Sequence, residues 1–384
     1  MILIIDGWLA NAGDAAINVA TTLSLQRQLP EARVALAAHH RSLVGDRYPE
    51  LDLLPPIDSL AGVSWPWTTE EDLAEREVIG AAVEEADLVL AAGGGYMLER
   101  YQPEGRIRGY EHLLERGKRL VLYAQSIGTF EDPDLRARLG AVLEAAELVL
   151  VRDEPSLEVV REQRKAEGLH LTADEAFLFP AQRWISQPRS LLVTVSLHPW
   201  ERSGENELDD DSHIAEIAAA LGRLFASGAA RHVTLASTTQ GLGGSKWDLE
   251  DDSLATSALY EAVPSHWRDR IELRSGYLSA AEYAELAARH AAVVSMRMHG
   301  AILAANAHTP VLLANASDKA LGLGRRSEGR IKTIQGRSDL ERLDELLAPL
   351  LEDPREARRD QNAAVEQMRT LARDNARLVA EQLR

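Results

Sequence analysis

Short apolar runs of strand length alternate along this chain with longer segments in which apolar positions recur every three or four residues. ILIID (2–6), RVALAA (33–38), DLVLAAG (87–93), RLVLYAQ (119–125) and ELVLVRD (147–153) have the continuous hydrophobicity of strands buried on both faces. Between them, DAAINVATTLSLQRQL (14–29) and DPDLRARLGAVLEAA (132–146) carry a helical period. The second opens on an Asp followed by Pro133, a cap and a first-turn residue. Strand, helix, strand in this order predicts βαβ units, and so a mostly parallel sheet with helices on both faces.

At 180–190 the text changes to PAQRWISQPRS, polar and proline-bearing, which suits a linker. A second alternating series follows, with strands at SLLVTVSL (190–197), RHVTLAS (231–237), RIELRS (270–275), AAVVS (291–295) and PVLLAN (310–315). Helices are predicted near 211–226, 279–290 and 300–308, the middle one opening on a Ser279/Glu282 capping box. From about 353 to 384 the chain is one charged amphipathic helix without glycine. The prediction is α/β: two Rossmann-like doubly wound domains, 1–185 and 190–352, facing a cleft, with a C-terminal helix, 353–384, packing across them. The length of 384 residues agrees, because single cores tend to stop growing beyond about 250–300 residues.

Composition narrows the chemistry. With 42 Lys and Arg against 60 Asp and Glu the net charge is −18, which opposes general binding to nucleic acid or anionic lipid. An anionic substrate must therefore meet a local cationic pocket. The absence of cysteine excludes disulfides, thiolate nucleophiles and cysteine-ligated metal sites. No stretch approaches 18 uncharged apolar residues, and MILIID lacks the basic flank of a signal peptide, so the expectation is a soluble cytoplasmic protein without an integral membrane segment.

Ligands of open α/β sheets bind beyond the carboxyl ends of strands, where this sequence is unusual. After the first strand come Asn11, Gly13 and Asp14 at a loop-to-helix junction. There backbone N–H groups can hold an anion, or Asp14 can simply cap the helix. After DLVLAAG, Gly94 and Gly95 continue a triple glycine that lets backbone approach a ligand closely. Ser126 and Gly128 follow the next strand, and Arg152 and Asp153 the one after. In the second series, MRMHG (296–300) takes the same place. If it stays extended, Arg297 and His299 share one face while Met296 and Met298 turn to the other. Arg offers a planar fork for a carboxylate or phosphate, and His299 can move a proton; the bland alternative is a core histidine beside an ion-paired arginine. Lys319 reads as a further cation or as a surface lysine.

Other signals fail. QGLGGSKW (240–247) lacks the Gly-Lys-Ser/Thr order of a phosphate loop, and LGLGRRSEG lacks the third glycine of a dinucleotide fingerprint. The runs DDD (209–211) and EDD (250–252) read as helix caps rather than metal ligands. Trp8, Trp65, Trp67 and Trp200 fall in predicted loops, as stacking platforms for sugar rings or as loop anchors.

The order NAGDAA, GGG, QSIG, RDEPS, TADEAF and VVSMRMHGAILAANAHTPVLLANASDK, from about residue 11 to 325, resembles the polysaccharide pyruvyl transferase family. The resemblance implies a GT-B-like architecture and transfer of pyruvate from phosphoenolpyruvate to a sugar diol as a ketal, with release of phosphate and no cofactor or metal. It places Arg297 and His299 at the donor site with Arg152 as a third contact; for such a reaction Asp14 is the candidate base. The implied partners are phosphoenolpyruvate and a sugar or glycoside acceptor, lipid-linked or free, in exopolysaccharide or cell-wall glycan biosynthesis. Two positions depart from the family pattern: Ala15, where an acidic residue is usual, and His198, where arginine is more frequent. The alternatives are a nucleotide-sugar glycosyltransferase on the same frame and a catalytically silent glycan-binding relative.

Overall fold

Ile2–Trp8, buried along almost its whole length, forms β1, the centre of the first of two parallel sheets. The computed structural model describes residues 1–57, 70–164, 167–181, 187–196, 210–242, 251–315, 318–334 and 336–383. Trp65, Trp67, Trp200, His198 and Lys246 lie outside the described residues.

The chain divides into two compact units: Met1–Leu9, Asp14–Leu178 and Arg369–Arg384 in the first, Ala10–Gly13 and Phe179–Met368 in the second. After β1, α1 (Ala12–Gln28) leads to β2 (Val34–His39), then α2 (Arg41–Val44) and β3 (Asp52–Leu54). α3 (Glu70–Glu85) returns the chain to β4 (Leu88–Ala91) on the other side of β1. β5 (Gly94–Met97), α4 (Glu104–Glu115), β6 (Leu120–Ile127), α5 (Pro133–Ala145), β7 (Leu148–Val151), α6 (Glu154–Arg161) and β8 (Leu169–Leu171) complete the sheet. Its order is β3-β2-β1-β4-β6-β7-β8, with β5 paired to β6. The direction of winding reverses between β1 and β4, and in open α/β sheets such a switch point is where ligands bind, at the strands' carboxyl ends.

The second sheet repeats the design. Its strands are β9 (Ser190–Thr194), β10 (His232–Ala236), β11 (Ile271–Arg274), β12 (Ala292–Ser295), β13 (Val311–Leu313) and β14 (Lys332–Thr333), in the order β11-β10-β9-β12-β13-β14. The reversal falls between β9 and β12. Around it run α7 (Asp210–Ser227), α8 (Asp252–Ala262), α9 (Ala280–Ala288), α10 (Met298–Asn306) and α11 (Asp318–Arg326), followed by α12 (Arg337–Glu341), α13 (Leu343–Glu352) and α14 (Arg355–Gln382).

Local chemistry explains the boundaries. Asp132 caps α5 by accepting from the backbone N–H groups of Asp134 and Leu135, with Pro133 in the first turn. Ser279 and Glu282 form the reciprocal capping box of α9. Each sheet buries aliphatic side chains against its own helices: Leu3, Ile5, Val89 and Leu122 against Ile79, Ile107 and Leu139 in the first unit, Leu191, Val193 and Val294 against Ile217, Leu221 and Leu259 in the second.

One expectation fails. Residues 296–299 do not stay extended: Arg297 keeps extended dihedrals as the N-cap of α10, but the helix begins at Met298. A first helical turn therefore carries His299, and alternation along a strand does not set its relation to Arg297. The cause is at Ser295, whose hydroxyl donates to the Arg297 carbonyl (2.7 Å) and accepts from the Arg297 N–H (3.3 Å), turning the chain immediately after β12.

Candidate functional site

Both switch points coincide with the residues singled out in the sequence. In the second unit the loop after β12 carries Arg297 and His299, and Ala10–Gly13 is clustered with them. The Asn11 side-chain carbonyl accepts from the Gly13 N–H at 2.7 Å, so that amide is engaged in a local cap. Asn11 also bridges Thr239 in antiparallel fashion, and the Ala12 N–H donates to the Thr238 carbonyl at 2.8 Å. Gly13 is required: a Cβ there would stand 2.2 Å from the Cβ of His299 and 2.6 Å from its Nδ1. The imidazole thus lies directly on the backbone of the NAGD turn.

Arg297 is tied to Asp252. Its Nε donates to Oδ2 at 2.9 Å and its Nη2 to Oδ1 at 2.8 Å, and the Asp252 side chain is 0% exposed. The reading of EDD as helix caps holds at Asp251 and fails at Asp252. Asp251 is the cap of α8, accepting from the Ser253 N–H at 2.8 Å, whereas Asp252 turns inward to the guanidinium. Behind the loop the Tyr283 hydroxyl lies 3.0 Å from Thr194 Oγ1 and also bonds Ser295, and burial pushes the phenol up to about 12. Gly300 fits against that pair; a Cβ would come 2.5 Å from Ser295 Oγ and 3.0 Å from the Tyr283 hydroxyl. Lys319 is half-buried in the first turn of α11, past the carboxyl end of β13.

In the first unit Arg152 is buried rather than solvated. Its Nη1 donates to Asp174 and its Nε to the Ser126 hydroxyl (2.8 Å), which in turn donates to Asp153 (2.5 Å). Asp153 also caps α6 through the Ser156 N–H. Gly128 packs on Leu98, where a Cβ would stand 2.9 Å from Cδ2, and its N–H donates to the Met97 carbonyl at 3.0 Å. Gly94 has φ +150°, and the ring of Tyr96 folds over it so closely that a Cβ would lie 2.6 Å from Cε2; Gly95 follows, half-buried, on β5.

Asp14 stands half-buried at the start of α1, and here the structure adds residues that the sequence did not flag. The Tyr96 phenol stays protonated well above its ordinary range, through burial first and the charge of Asp14 second. The Arg106 guanidinium covers the Tyr96 ring at 4.8 Å and reaches Asp6 at 3.5 Å. Tyr110 donates to Asp6 at 2.5 Å. Asp6 itself adopts φ +63°, a left-handed conformation inside a strand, at the register shift between Ile4 and Gly7. Such a residue costs on the order of 1–3 kcal/mol and persists only where its surroundings fix it, which is common at functional sites. Non-adjacent residues on β1, β5 and α4 make this network, so no local motif announces it. Among the described residues no three His, Asp or Glu side chains group as metal ligands.

Comparison with solved structures places the fold. UDP-GlcNAc 2-epimerase from Neisseria meningitidis, bound to UDP-GlcNAc, matches with a TM-score of 0.60 at 11% identity, over 100% of this chain and 99% of that one. The UDP-N-acetylglucosamine 2-epimerase of Rickettsia bellii gives 0.59 at 11% over 99% and 96%, and that of Methanocaldococcus jannaschii 0.56 at 10% over 97% and 99%. At such identity the likeness is one of GT-B-type fold, not of activity. A search of curated protein sequences finds no match. The model of the polysaccharide pyruvyl transferase family matches residues 11–316, which take in the NAGD turn, the glycine strand, Arg152 and the SMRMHG loop with Arg297. This chain belongs to the polysaccharide pyruvyl transferase family.

Proposed function

We propose that the protein transfers the pyruvyl group of phosphoenolpyruvate to two hydroxyls of a sugar or glycoside as a ketal, releasing phosphate. The observation that carries this reading is the contact of His299 with Gly13 beside Arg297, a proton-transfer group and a planar anion-binding group at the switch point of a sheet. Asp14 is the residue that follows Gly13.

In this scheme His299 protonates the methylene carbon as the first sugar hydroxyl, losing its proton to Asp14, bonds to the carbon bearing the phosphate. The second hydroxyl then displaces phosphate, which leaves with that hydroxyl's proton. The C=C π bond and one C–O bond to phosphate break, one C–H bond and two C–O bonds to the sugar form, the proton taken by Asp14 returns to His299 through solvent, and no oxidant or reductant is needed. Arg297 is the contact for the donor's carboxylate or phosphate, with Lys319 as a further cation, and the family resemblance adds Arg152 as a third contact. Asn11 and Gly13 in the second unit, and Gly94, Gly95, Ser126 and Gly128 at strand ends of the first, are the proposed substrate-binding positions.

The test is phosphate release from phosphoenolpyruvate across a panel of glycosides that carry neighbouring hydroxyls. Release is expected with at least one glycoside, and His299→Ala should lower it by about 10²–10⁴-fold, the usual worth of a positioned proton donor. Equal release by the variant removes His299 from the scheme. A second reading is favoured by one fact, that the Neisseria epimerase of this fold binds UDP-GlcNAc. Thermal stabilisation by UDP- or GDP-sugars and not by phosphoenolpyruvate would select a sugar-nucleotide donor instead.

A further inference from the structure

The stretch LGLGRRSEG, which fails as a dinucleotide fingerprint, borders a cavity instead. Gly324 lets α11 lie so close to β14, the outermost strand of its sheet, that a Cβ there would stand 2.7 Å from Thr333 Oγ1. Beside this contact α11, the turn that follows it and β14 surround about 390 Å³, lined by Leu321, Arg325, Gly329, Ile331 and Lys332 together with Gly324 and Thr333. That is the size of a small-molecule site, commonly about 300–1,000 Å³. It shares no residue with the NAGD turn or the SMRMHG loop.

The charge here runs against that of the chain. In a protein of net charge −18, residues 321–333 carry Arg325, Arg326, Arg330 and Lys332 against Glu328 alone. Glu328 pairs with Arg330 at 2.9 Å. Arg325 and Lys332, both exposed, pair with no carboxylate among the described residues, whereas Arg337 and Arg342 just beyond pair with Glu341 and Glu345. Helix capping does not account for Arg325. The Gly324 carbonyl already accepts from the Gly329 N–H and the Ser327 hydroxyl, each at 2.9 Å, and the Arg325 carbonyl from the Glu328 N–H at 2.9 Å. Gly329 closes the helix in a left-handed conformation, φ +71°, and a Cβ on it would meet nothing within 4 Å, so the turn does not fill the cavity.

We propose that this cavity binds an anionic sugar, a sugar phosphate or a sugar acid. Arg325 and Lys332 hold the phosphate or carboxylate, and the C–H face of the ring lies on the aliphatic floor made by Leu321 and Ile331. Two like charges bordering one concavity repel each other, and an anion between them turns that repulsion into attraction. No aromatic side chain is among the described residues of the lining, so a nucleobase has nothing to stack on, while a compact saturated ring needs only the aliphatic floor. The site stands apart from the donor assignment, because none of its residues is used there.

Hydrogen–deuterium exchange of the full chain, read peptide by peptide, tests the location, and calorimetry tests the affinity. The probes are glucose 6-phosphate, glucuronate, glucose, inorganic phosphate and AMP. Glucose 6-phosphate or glucuronate at millimolar concentration should protect 321–333, glucose should not, and the stronger of the two names the acidic group. Inorganic phosphate and AMP should each bind at least about tenfold more weakly than that sugar. Arg325→Gln and Lys332→Gln should each raise its dissociation constant by about tenfold, the worth of one charged hydrogen bond, with the melting temperature unchanged because both side chains are exposed. Protection of the parent confined to other segments, or affinity unmoved by both substitutions, overturns the site. Equal binding of inorganic phosphate or AMP overturns the assigned ligand. Absence of phosphate release from phosphoenolpyruvate would strike the proposed reaction and leave this footprint as it is.

Discussion

At the scale of single residues, the least replaceable atom in the candidate site is a hydrogen. Gly13 leaves no room for a methyl group, because His299 occupies the position a Cβ would take. Gly13→Ala is expected to push the imidazole aside at a cost of about 1–3 kcal/mol, the usual range for overpacking. Phosphate release should fall together with the melting temperature. Gly105→Ala, in α4, meets nothing within 4 Å and should stabilise by up to about 1 kcal/mol, so thermal melts of the two variants compare crowding with helix propensity. An equal shift for both would show that Gly13 is an ordinary turn glycine.

The same scale shows what a sequence can reveal. Asn11, Gly13, Arg297 and His299 were visible as unusual residues at strand ends, and the structure brings Gly13 and His299 into contact. The partner of Arg297 was hidden, although EDD had been noticed. A carboxylate at the start of a helix has two uses, and the choice between Asp251 as cap and Asp252 as ion-pair partner depends on where β12 ends, 45 positions along the chain. Tyr96 and Arg106 were missed for a similar reason, since their contact joins β5 to α4 and has no spacing of its own.

At the scale of elements, α14 is instructive because its inward-facing polar residues do defined work. Asn375 Nδ2 donates to the Ala173 carbonyl at 3.0 Å and to Glu175 at 2.8 Å, and Arg369 donates to the Phe177 carbonyl at 3.1 Å. Glu175 is wholly buried, and burial pushes its carboxyl up to about 7 from an ordinary 4.5, against the hydrogen bond from Asn375, which favours the charged form. The folded state therefore holds a proton that the unfolded chain releases between about 4.5 and 7. Stability from this group is complete below about 4.5 and is lost as pH rises through about 7. Glu175→Gln keeps the acceptor and removes the titration. It should gain on the order of 3 kcal/mol relative to the parent at pH 8 and little at pH 4.5, read from urea unfolding at both values. No gain at pH 8 would mean that the carboxylate is better solvated than its burial implies.

His290 works in the opposite sense. Burial lowers its imidazole to about 4 from 6.5, while its ring nitrogens bond the Leu286 carbonyl and the Thr234 hydroxyl. Its contribution is complete above about 6.5 and lost as pH falls through about 4. Between roughly 4.5 and 6.5 the two groups offset each other, so the parent should show a flatter stability profile there than Glu175→Gln, which retains only the histidine's slope.

At the scale of the whole molecule, the alternation of apolar runs and helical segments was enough to predict two parallel α/β sheets, because a strand buried on both faces leaves a continuous hydrophobic signature. Strand ends were less legible. PVLLAN predicted a strand through 315, but β13 stops at Leu313, since hydrogen bonding to neighbours and not hydrophobicity decides where pairing ends. β5 escaped notice because its sequence, GGYM, has the composition of a loop. No helix among the described residues is long and apolar enough to cross a membrane.

The net charge of −18 also acts at this scale. An anionic donor approaches a repulsive field before it reaches any local cation, and salt screens the long-range part while sparing buried contacts. With phosphoenolpyruvate as the proposed donor, raising ionic strength from about 10 to 150 mM should therefore lower its KM, as the Debye length falls from about 30 to 8 Å. A steep rise in KM with salt would point to attraction by exposed lysines and arginines instead.

The division of the chain has one more implication, for biosynthesis. Arg369–Arg384 belongs to the same unit as β1, yet every residue of the other unit's sheet is translated between them. An amino-terminal half emerging from the ribosome lacks Arg369, which donates to the Phe177 carbonyl, and Asn375, which donates to the Ala173 carbonyl and to Glu175. It must wait, partly finished, for the final turns of α14, and a nonsense codon late in the reading frame would leave that half permanently open.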